Sequence, residues 1–342
     1  MNLYIINFLI IFALTAIVSF YFFKKKTLLN FSGNRHQKFT DSLHVPLMGG
    51  IIVFFAIIFF VPFFNTIEKI AFTLILLLGL LSDLKHLSSA KIRLYLQFVI
   101  IILFLIIENL HLVNTKVFFL DLLLQNYFFS ILFTAFCFLI IINGSNFLDG
   151  INILVIGYYL SITIIIFILQ EKNFIFLDNI SILNIIITLL VLFFFNLFNK
   201  LYLGDNGSYL LGFIFSIILV KFYVNNTFVS PFFIILLLWY PGFENLFSIF
   251  RRYFGKKSVV KPDTRHLHQL IYDYLRKYSF FQKKILINNF PGFLIITYNF
   301  FIMFLSCFFI YDSKILLLFI FLNISLYCLI YNFLLKSHEL QY

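Results

Sequence analysis

Apolar runs of about twenty residues recur along the whole 342-residue chain, and each is nearly free of charge. A soluble core has no need of such runs. A bilayer core about 30 Å thick does, because a segment crossing it must pair every backbone polar group internally, which a helix of roughly twenty apolar residues achieves. The pattern therefore predicts an all-α, polytopic membrane bundle of about eleven transmembrane helices. The runs lie near residues 3–23, 47–64, 67–82, 92–108, 128–143, 151–169, 180–198, 208–224, 229–247, 290–311 and 314–334. Residues 117–124 read as loop or as a re-entrant or interfacial piece. The first run is expected to stay in place as a span: its cluster Lys24, Lys25, Lys26 follows the apolar stretch, and no small-residue cleavage site is evident. The 53 Phe are expected to serve lipid-facing and packing surfaces, and Cys137, Cys307 and Cys328, all inside apolar runs, read as small buried hydrophobes.

Charge fixes the expected orientation. With eleven spans, one set of alternate loops and the C-terminal tail carries 20 of the 25 Lys and Arg, leaving Lys69, Lys116, Lys172, Lys221 and Lys314 for the other side. The positive-inside rule puts the basic side in the cytoplasm, with the N-terminus outside and the C-terminus cytoplasmic. The net charge of +11 is then a topology signal with membrane lipids as its partner. Nucleic acid is not expected, because the basic residues sit in short membrane-flanking loops without a recognition module. Residues 1–342 read as one integral membrane domain. The large basic loop 251–289 lies within it, and 266–278 in that loop suits a short amphipathic surface helix.

Only fourteen residues are acidic, and a carboxylate at mid-bilayer costs about 2.5–3.5 kcal/mol on insertion scales. Asp83, Asp149 and Asp205 each stand where an apolar run ends, all on the predicted cytoplasmic side, and Glu244 joins them near the inner end of the ninth run. They converge only if the helices bundle around one cleft. The segment Asn143-Gly144-Ser145-Asn146-Phe147-Leu148-Asp149-Gly150-Ile151-Asn152 is polar without any basic anchor. Its amides and carboxylate suit a sugar, a nucleobase or a metal pocket, with an ordinary turn as the plain alternative. Leu203-Gly204-Asp205-Asn206-Gly207-Ser208 sets a carboxylate in a glycine-bounded turn at a helix mouth, a setting for Mg2+, which takes few protein carboxylates plus water and substrate phosphates. In Lys261-Pro262-Asp263-Thr264-Arg265-His266-Leu267-His268-Gln269, Arg265 can fork onto a phosphate and His266 and His268 can add donors. The two His would point the same way on an extended segment and diverge on a helix. A solvated basic loop is the plain alternative.

Taken in order, Gly79–Gln97, Asn143–Gly150, Leu203–Phe213 and Arg251–Leu270 resemble motifs of the polyprenyl-phosphate N-acetylhexosamine-1-phosphate transferases, the glycosyltransferase family 4 group with WecA/TagO-type and MraY-type branches. Arg265-His266-Leu267-His268 is closer to the WecA/TagO and O-antigen-initiating branch. The resemblance implies transfer of a sugar 1-phosphate from a UDP-N-acetyl sugar to polyprenyl phosphate. UMP is released and cell-envelope polysaccharide synthesis, lipopolysaccharide O-antigen or cell-wall polymer, is initiated at the bacterial inner membrane. It implies catalytic roles for Asp83, Asp149 and Asp205, with Mg2+ (or Mn2+ as substitute) on Asp205 and Asp149. It also implies donor contacts from Asn143, Asn146, Arg265, His266 and His268, an acceptor-phosphate role for Lys91 and Ser82, and a homodimer as an option. An MraY-like phospho-muramoyl-pentapeptide transferase and a non-catalytic lipid-linked sugar transporter or scaffold are the alternatives.

The chain departs from the family's pattern at several positions. Ser82-Asp83 stands where two adjacent Asp are usual, Gly33-Asn34-Arg35 and His44-Val45-Pro46 replace an acidic-Pro start, Glu244 replaces an Asp, and Gln269 replaces a His. A phosphate monoester with a second pKa near 6 is mostly dianionic at cytosolic pH, so the missing carboxylate need not abolish attack.

Overall fold

The computed structural model describes residues 2–29, 45–171, 174, 177–256, 265–278 and 282–339. Gly33, Asn34, Arg35 and His44, and Lys261, Pro262, Asp263 and Thr264 of the third motif, lie outside the described residues. The described helices are α1 (Asn2–Lys25), α2 (Gly49–Phe60), α3 (Thr66–Asp83), α4 (Ala90–Glu108), α5 (Phe118–Leu124), α6 (Tyr127–Leu148), α7 (Leu154–Glu171), α8 (Asn179–Leu197), α9 (Gly204–Asn225), α10 (Pro231–Leu237), α11 (Trp239–Phe254), α12 (Leu267–Lys277), α13 (Lys284–Ser306) and α14 (Ser313–Glu339). This is an all-α polytopic membrane bundle. Among the described residues seven helices are long and apolar enough to cross a membrane, and eight if α10 and α11 form one bent span. Of the other runs, α2 and Leu154–Gln170 are apolar but short, and α3 carries Glu68, Lys69 and Asp83. At 1.5 Å per residue α2 alone reaches about 18 Å. The short helix α5 occupies the 117–124 segment and α12 the amphipathic 266–278 segment.

Helix α9 is the central post. It is apolar nearly all round, as a helix enclosed by others must be, and nearly every residue from Gly204 to Tyr223 is buried. Helices α2, α3 and α6 pack along it. Close approach depends on glycine: a Cβ on Gly79 would stand 2.3 Å from the Asn206 Cα, and one on Gly50 2.6 Å from the Asn206 backbone oxygen. The outer helices turn large apolar side chains outward, Leu9, Ile17 and Phe20 on α1 and Phe321, Leu329 and Phe333 on α14 among them.

The α10–α11 pair bends by 74°, where the sequence reads a single span over 229–247. The cause is Pro241, the third residue of α11. It has no N–H for the Leu237 carbonyl four residues earlier, and the Tyr158 hydroxyl donates to that carbonyl instead (2.8 Å).

Polar contacts sort the helix ends into two faces. Lys221 pairs with Glu68 (2.9 Å), Asn65 with Glu108 (3.1 Å), and Ser230 with Ser313 (2.8 Å), joining the ends that bear Lys69, Lys221 and Lys314. At the other face the start of α2, the end of α3, the start of α4, the end of α6 and the start of α9 meet. There the 45–48 segment pairs with Tyr202 through Tyr202 N to Pro46 O (2.9 Å) and Met48 N to Tyr202 O (3.1 Å).

Candidate active site

The N-terminus of α9 has four orphan N–H groups and a partial positive charge, and its N-cap, Leu203, has no side chain able to serve them. Asp83, the last residue of α3, does so from across the bundle. Its Oδ1 accepts from the Asp205 N–H (3.0 Å), and its Oδ2 accepts from the Asn206 N–H (3.0 Å) and the Asn206 side-chain amide (2.6 Å). Asn206, fully buried, also accepts from the Gly50 N–H (2.9 Å) and donates to the Leu47 carbonyl (3.0 Å), so one residue ties α2, α3 and α9 at the mouth. Gly204 precedes it with φ +72°, where a Cβ would meet Asp83 Oδ2 at 2.9 Å. Only glycine takes that turn without strain.

Held by this cap, Asp205 faces the mouth, with 24% of its side chain exposed. Its Oδ1 accepts from the Asn146 amide (2.6 Å), which also donates to Ser208 Oγ (3.1 Å). Its Oδ2 accepts from Arg93 Nη1 (2.7 Å), from the Ser82 hydroxyl and, at 3.5 Å, from the Tyr209 hydroxyl. Arg93 Nη1 donates to Ser82 Oγ as well. The carboxyl of Asp149, the C-cap of α6, is faced by the Gly204 N–H.

These carboxyls act on one another. Burial first, and then Asp205, push Asp83 up from 3.8 to about 7 against the hydrogen bonds from Asn206 and Asp205. Burial, followed by Asp205 and Asp83, raises Asp149 well above the usual carboxylate range. The three Asp thus lie close enough for these effects, while the Arg93 guanidinium pairs with Asp205. No group of three or more His, Cys, Asp or Glu arranged as a metal cage occurs among the described residues.

A second cluster adjoins the first across Asp149-Gly150. Fully buried Glu244 on α11 accepts from the Tyr327 hydroxyl (2.7 Å) and pairs with His266 Nδ1 (2.9 Å). His266 caps α12 in extended conformation, so its ring lies parallel to that of His268, with centroids 5.7 Å apart and planes at 6°. The extended-segment expectation for the pair thus holds at its first member. Gln269 accepts from the His266 N–H (3.2 Å), which gives that departure a capping role. His268 is fully buried, and neither ring nitrogen has a partner among the described residues. Burial, then His266, pushes its pKa well below the usual imidazole range, so the ring is neutral. Its Nε2 lies against Gly150, where a Cβ would stand 2.7 Å away. Phe147 packs on His266 (5.2 Å) and carries Arg252 over its ring (5.6 Å).

Of the residues singled out from sequence, Ser82, Asp83, Asn146, Asp149 and Asp205 meet at this mouth, and His266 and His268 adjoin it. Asn143 sits one turn deeper on α6 and binds Gln97 of α4 (2.9 Å). Asn152 is taken into an asparagine knot with Asn199 (2.5 Å), Asn288 (2.8 Å) and Asn289 (3.0 Å). Arg265 enters through its backbone carbonyl, which Arg251 holds. Lys91 is exposed, about 200° around α4 from Arg93 at about 100° per residue. Arg93 and Asn206 were the residues missed. The signal for Arg93 was an arginine two residues after Lys91, on the helix face of Gln97.

Fold and site together define a polytopic membrane bundle with a carboxylate, guanidinium and amide cluster at one helix mouth and a histidine cluster beside it. Residues 67–223, which carry most of that mouth, match Glycosyl transferase family 4. The chain is 27% identical over 242 residues to a probable undecaprenyl-phosphate N-acetylglucosaminyl 1-phosphate transferase of Bacillus subtilis, covering 68% of this chain and 67% of that protein. It is 28% identical over 267 residues to the undecaprenyl-phosphate alpha-N-acetylglucosaminyl 1-phosphate transferase of Thermotoga maritima, covering 77% and 78%. Over residues 67–223 the chain is thus similar to glycosyl transferase family 4, and over most of its length, at low identity, to these two transferases.

Proposed function

We propose that this chain transfers an N-acetylhexosamine 1-phosphate from a UDP-sugar to polyprenyl phosphate and releases UMP, with the mouth described above facing the cytoplasm. The observation that carries the reading is Asp205, a part-exposed carboxylate held at a buried helix N-terminus by Asp83 and oriented by Asn146 and Arg93. The names of the two relatives support the same reaction class, and N-acetylglucosamine is the donor we propose first. Surface-polysaccharide initiation at the inner membrane follows from that class.

Mg2+ takes one or two carboxylates with water and phosphate making up its octahedron. The donor set fits that mode and not an all-protein cage: Asp83, Asp149 and Asp205 lie close enough to act on one another, and Asp149 and Asp205 are each only half-buried. Bound there, the ion would neutralise the diphosphate and the charge building on the transferring phosphorus. The remaining work falls to the chain. Asp83 fixes the α9 terminus, Asn146 orients Asp205, and neutral His268, stacked on a His266 that Glu244 and Tyr327 brace, offers its ring nitrogens to the donor. The acceptor phosphate is itself an anionic nucleophile, so direct in-line attack is preferred to an aspartyl intermediate.

Purified protein supplied with Mg2+, polyprenyl phosphate and a panel of UDP-sugars should release UMP with at least one of them. Asp205→Asn should abolish release while eluting and melting like the parent. Unchanged turnover in Asp205→Asn would refute the role given to that carboxylate. Binding of polyprenyl lipid without any UMP would favour the carrier or scaffold reading, and release only with a UDP-muramoyl peptide the MraY-like one.

A further inference from the structure

Hydrogen bonding at the mouth is unevenly shared. Arg93 directs one nitrogen, Nη1, at both Ser82 and Asp205 Oδ2, while its Nε is buried without a partner among the described residues. Asp205 Oδ2 is the most heavily used oxygen of the cluster, receiving Arg93, Ser82 and Tyr209. Position 82 makes this possible. A serine hydroxyl accepts from the guanidinium and donates to the carboxylate at once, closing a ring of three groups, and an ionised carboxylate has no proton with which to do so.

We propose that Arg93 is the resting counter-ion of Asp205, kept there by Ser82, and that a divalent cation takes Asp205 Oδ2 only by displacing it. The proposal rests on the transferase reading of the site. The displaced guanidinium, whose planar fork suits phosphate oxygens better than a single carboxylate oxygen, turns to a phosphate group. Cation and phosphate binding are therefore coupled, and by linkage each tightens the other by the same factor. Arg93 and Ser82 are positioning residues in this scheme, setting how firmly the empty site resists a lone cation. No covalent step is added.

The test measures Mn2+ binding to the detergent-solubilised full chain by the electron paramagnetic resonance signal of free Mn2+, with and without inorganic phosphate. An ion pair with a quarter of each side chain exposed is worth enough that Arg93→Gln should tighten Mn2+ in the absence of phosphate by about tenfold, or about 1.4 kcal/mol. The gain from added phosphate should shrink at the same time. Ser82→Ala leaves net charge and fold volume nearly unchanged and should still tighten Mn2+ several-fold, a shift that simple removal of a positive charge does not explain. Lys85→Gln, which removes a nearby exposed charge, should change it less than about twofold. Asp205→Asn should lose the site. If Asp205→Asn loses the site but Arg93→Gln and Ser82→Ala bind Mn2+ no more tightly than the parent, the counter-ion proposal is overturned and the transferase reading stands. If Asp205→Asn binds Mn2+ like the parent, the cation site is elsewhere and the proposal falls with it, while UMP release still judges the transferase reading separately.

Discussion

Gly79→Ala should disable the protein through a single methyl group. The added Cβ would stand 2.3 Å from the Asn206 Cα, 2.6 Å from its nitrogen and 2.9 Å from the Asp205 carbonyl carbon, all backbone atoms that no rotamer change can move. Restoring ordinary contact requires α3 and α9 to part by about 1 Å, and overpacking of this kind costs about 1–3 kcal/mol. The same shift stretches the bonds from the Asp205 and Asn206 N–H groups to Asp83, now 3.0 Å each, past the useful range. Two weakened bonds to a charged group bring the total to about 4 kcal/mol. The melting temperature in detergent, followed by loss of the monodisperse elution peak, should fall by on the order of 5 °C. UMP release should fall with it, because Asp205 sits on the displaced turn. Gly242→Ala is the control: its Cβ would meet only Ile141 and Ile140 side chains, at 3.6 and 3.7 Å, and alanine favours the helix, so it should melt at or above the parent. A Gly79→Ala protein that melts within about 1 °C of the parent and turns over normally would refute the idea that the α3–α9 crossing positions the site.

Two further outcomes follow from the same geometry. Asp83, raised from 3.8 to about 7, binds its proton more tightly folded than unfolded. Its contribution to stability is thus complete below the unfolded value and is lost as pH rises through about 7. Metal-free protein in EDTA should melt lower at about pH 8 than at about pH 5, and Asp83→Asn should flatten that slope; a melting temperature that rises with pH in the parent would contradict the assignment. Glu244→Asp, one methylene shorter, cannot keep both the His266 contact (2.9 Å) and the Tyr327 contact (2.7 Å). Steady-state kinetics should show a several-fold rise in KM for the UDP-sugar with kcat within about twofold, and Tyr327→Phe, which gives up one bond, should show less.

What could be read from the sequence follows from how each signal is encoded. Hydropathy reports directly on a solvent that forces internal backbone pairing, so each apolar run coincides with one helix or, at 229–247, with two. The bend in 229–247 was not visible, because the effect of Pro241 falls on a carbonyl four residues earlier and its relief comes from Tyr158 on another helix. Asp205 and Asn146 stood out because glycines flank both motifs. Asn143 and Asn152 stood out for the same reason, yet they lock helices to one another, since an amide carries no mark of its eventual partner. Lys91 was singled out by the resemblance alone, inside Gly79–Gln97, whereas helical phase turns Arg93 inward on the face of Gln97.

The Ser82-Asp83 pair gains most from the structure. Read along the chain, it is a catalytic pair with one member missing. At the end of α3, however, neighbours lie about 100° apart and meet different partners. Asp83 spends both oxygens on the α9 terminus, and Ser82 meets Asp205 and Arg93. Losing a carboxylate at position 82 therefore takes nothing from the cap that builds the mouth. It lowers the negative charge around Asp205 and supplies a hydroxyl that accepts from Arg93 while donating to Asp205. Substitution at 82 should accordingly tune how the site takes a cation, while substitution at 83 should loosen the helix that carries the site. The two positions look like one motif and act through separate physics.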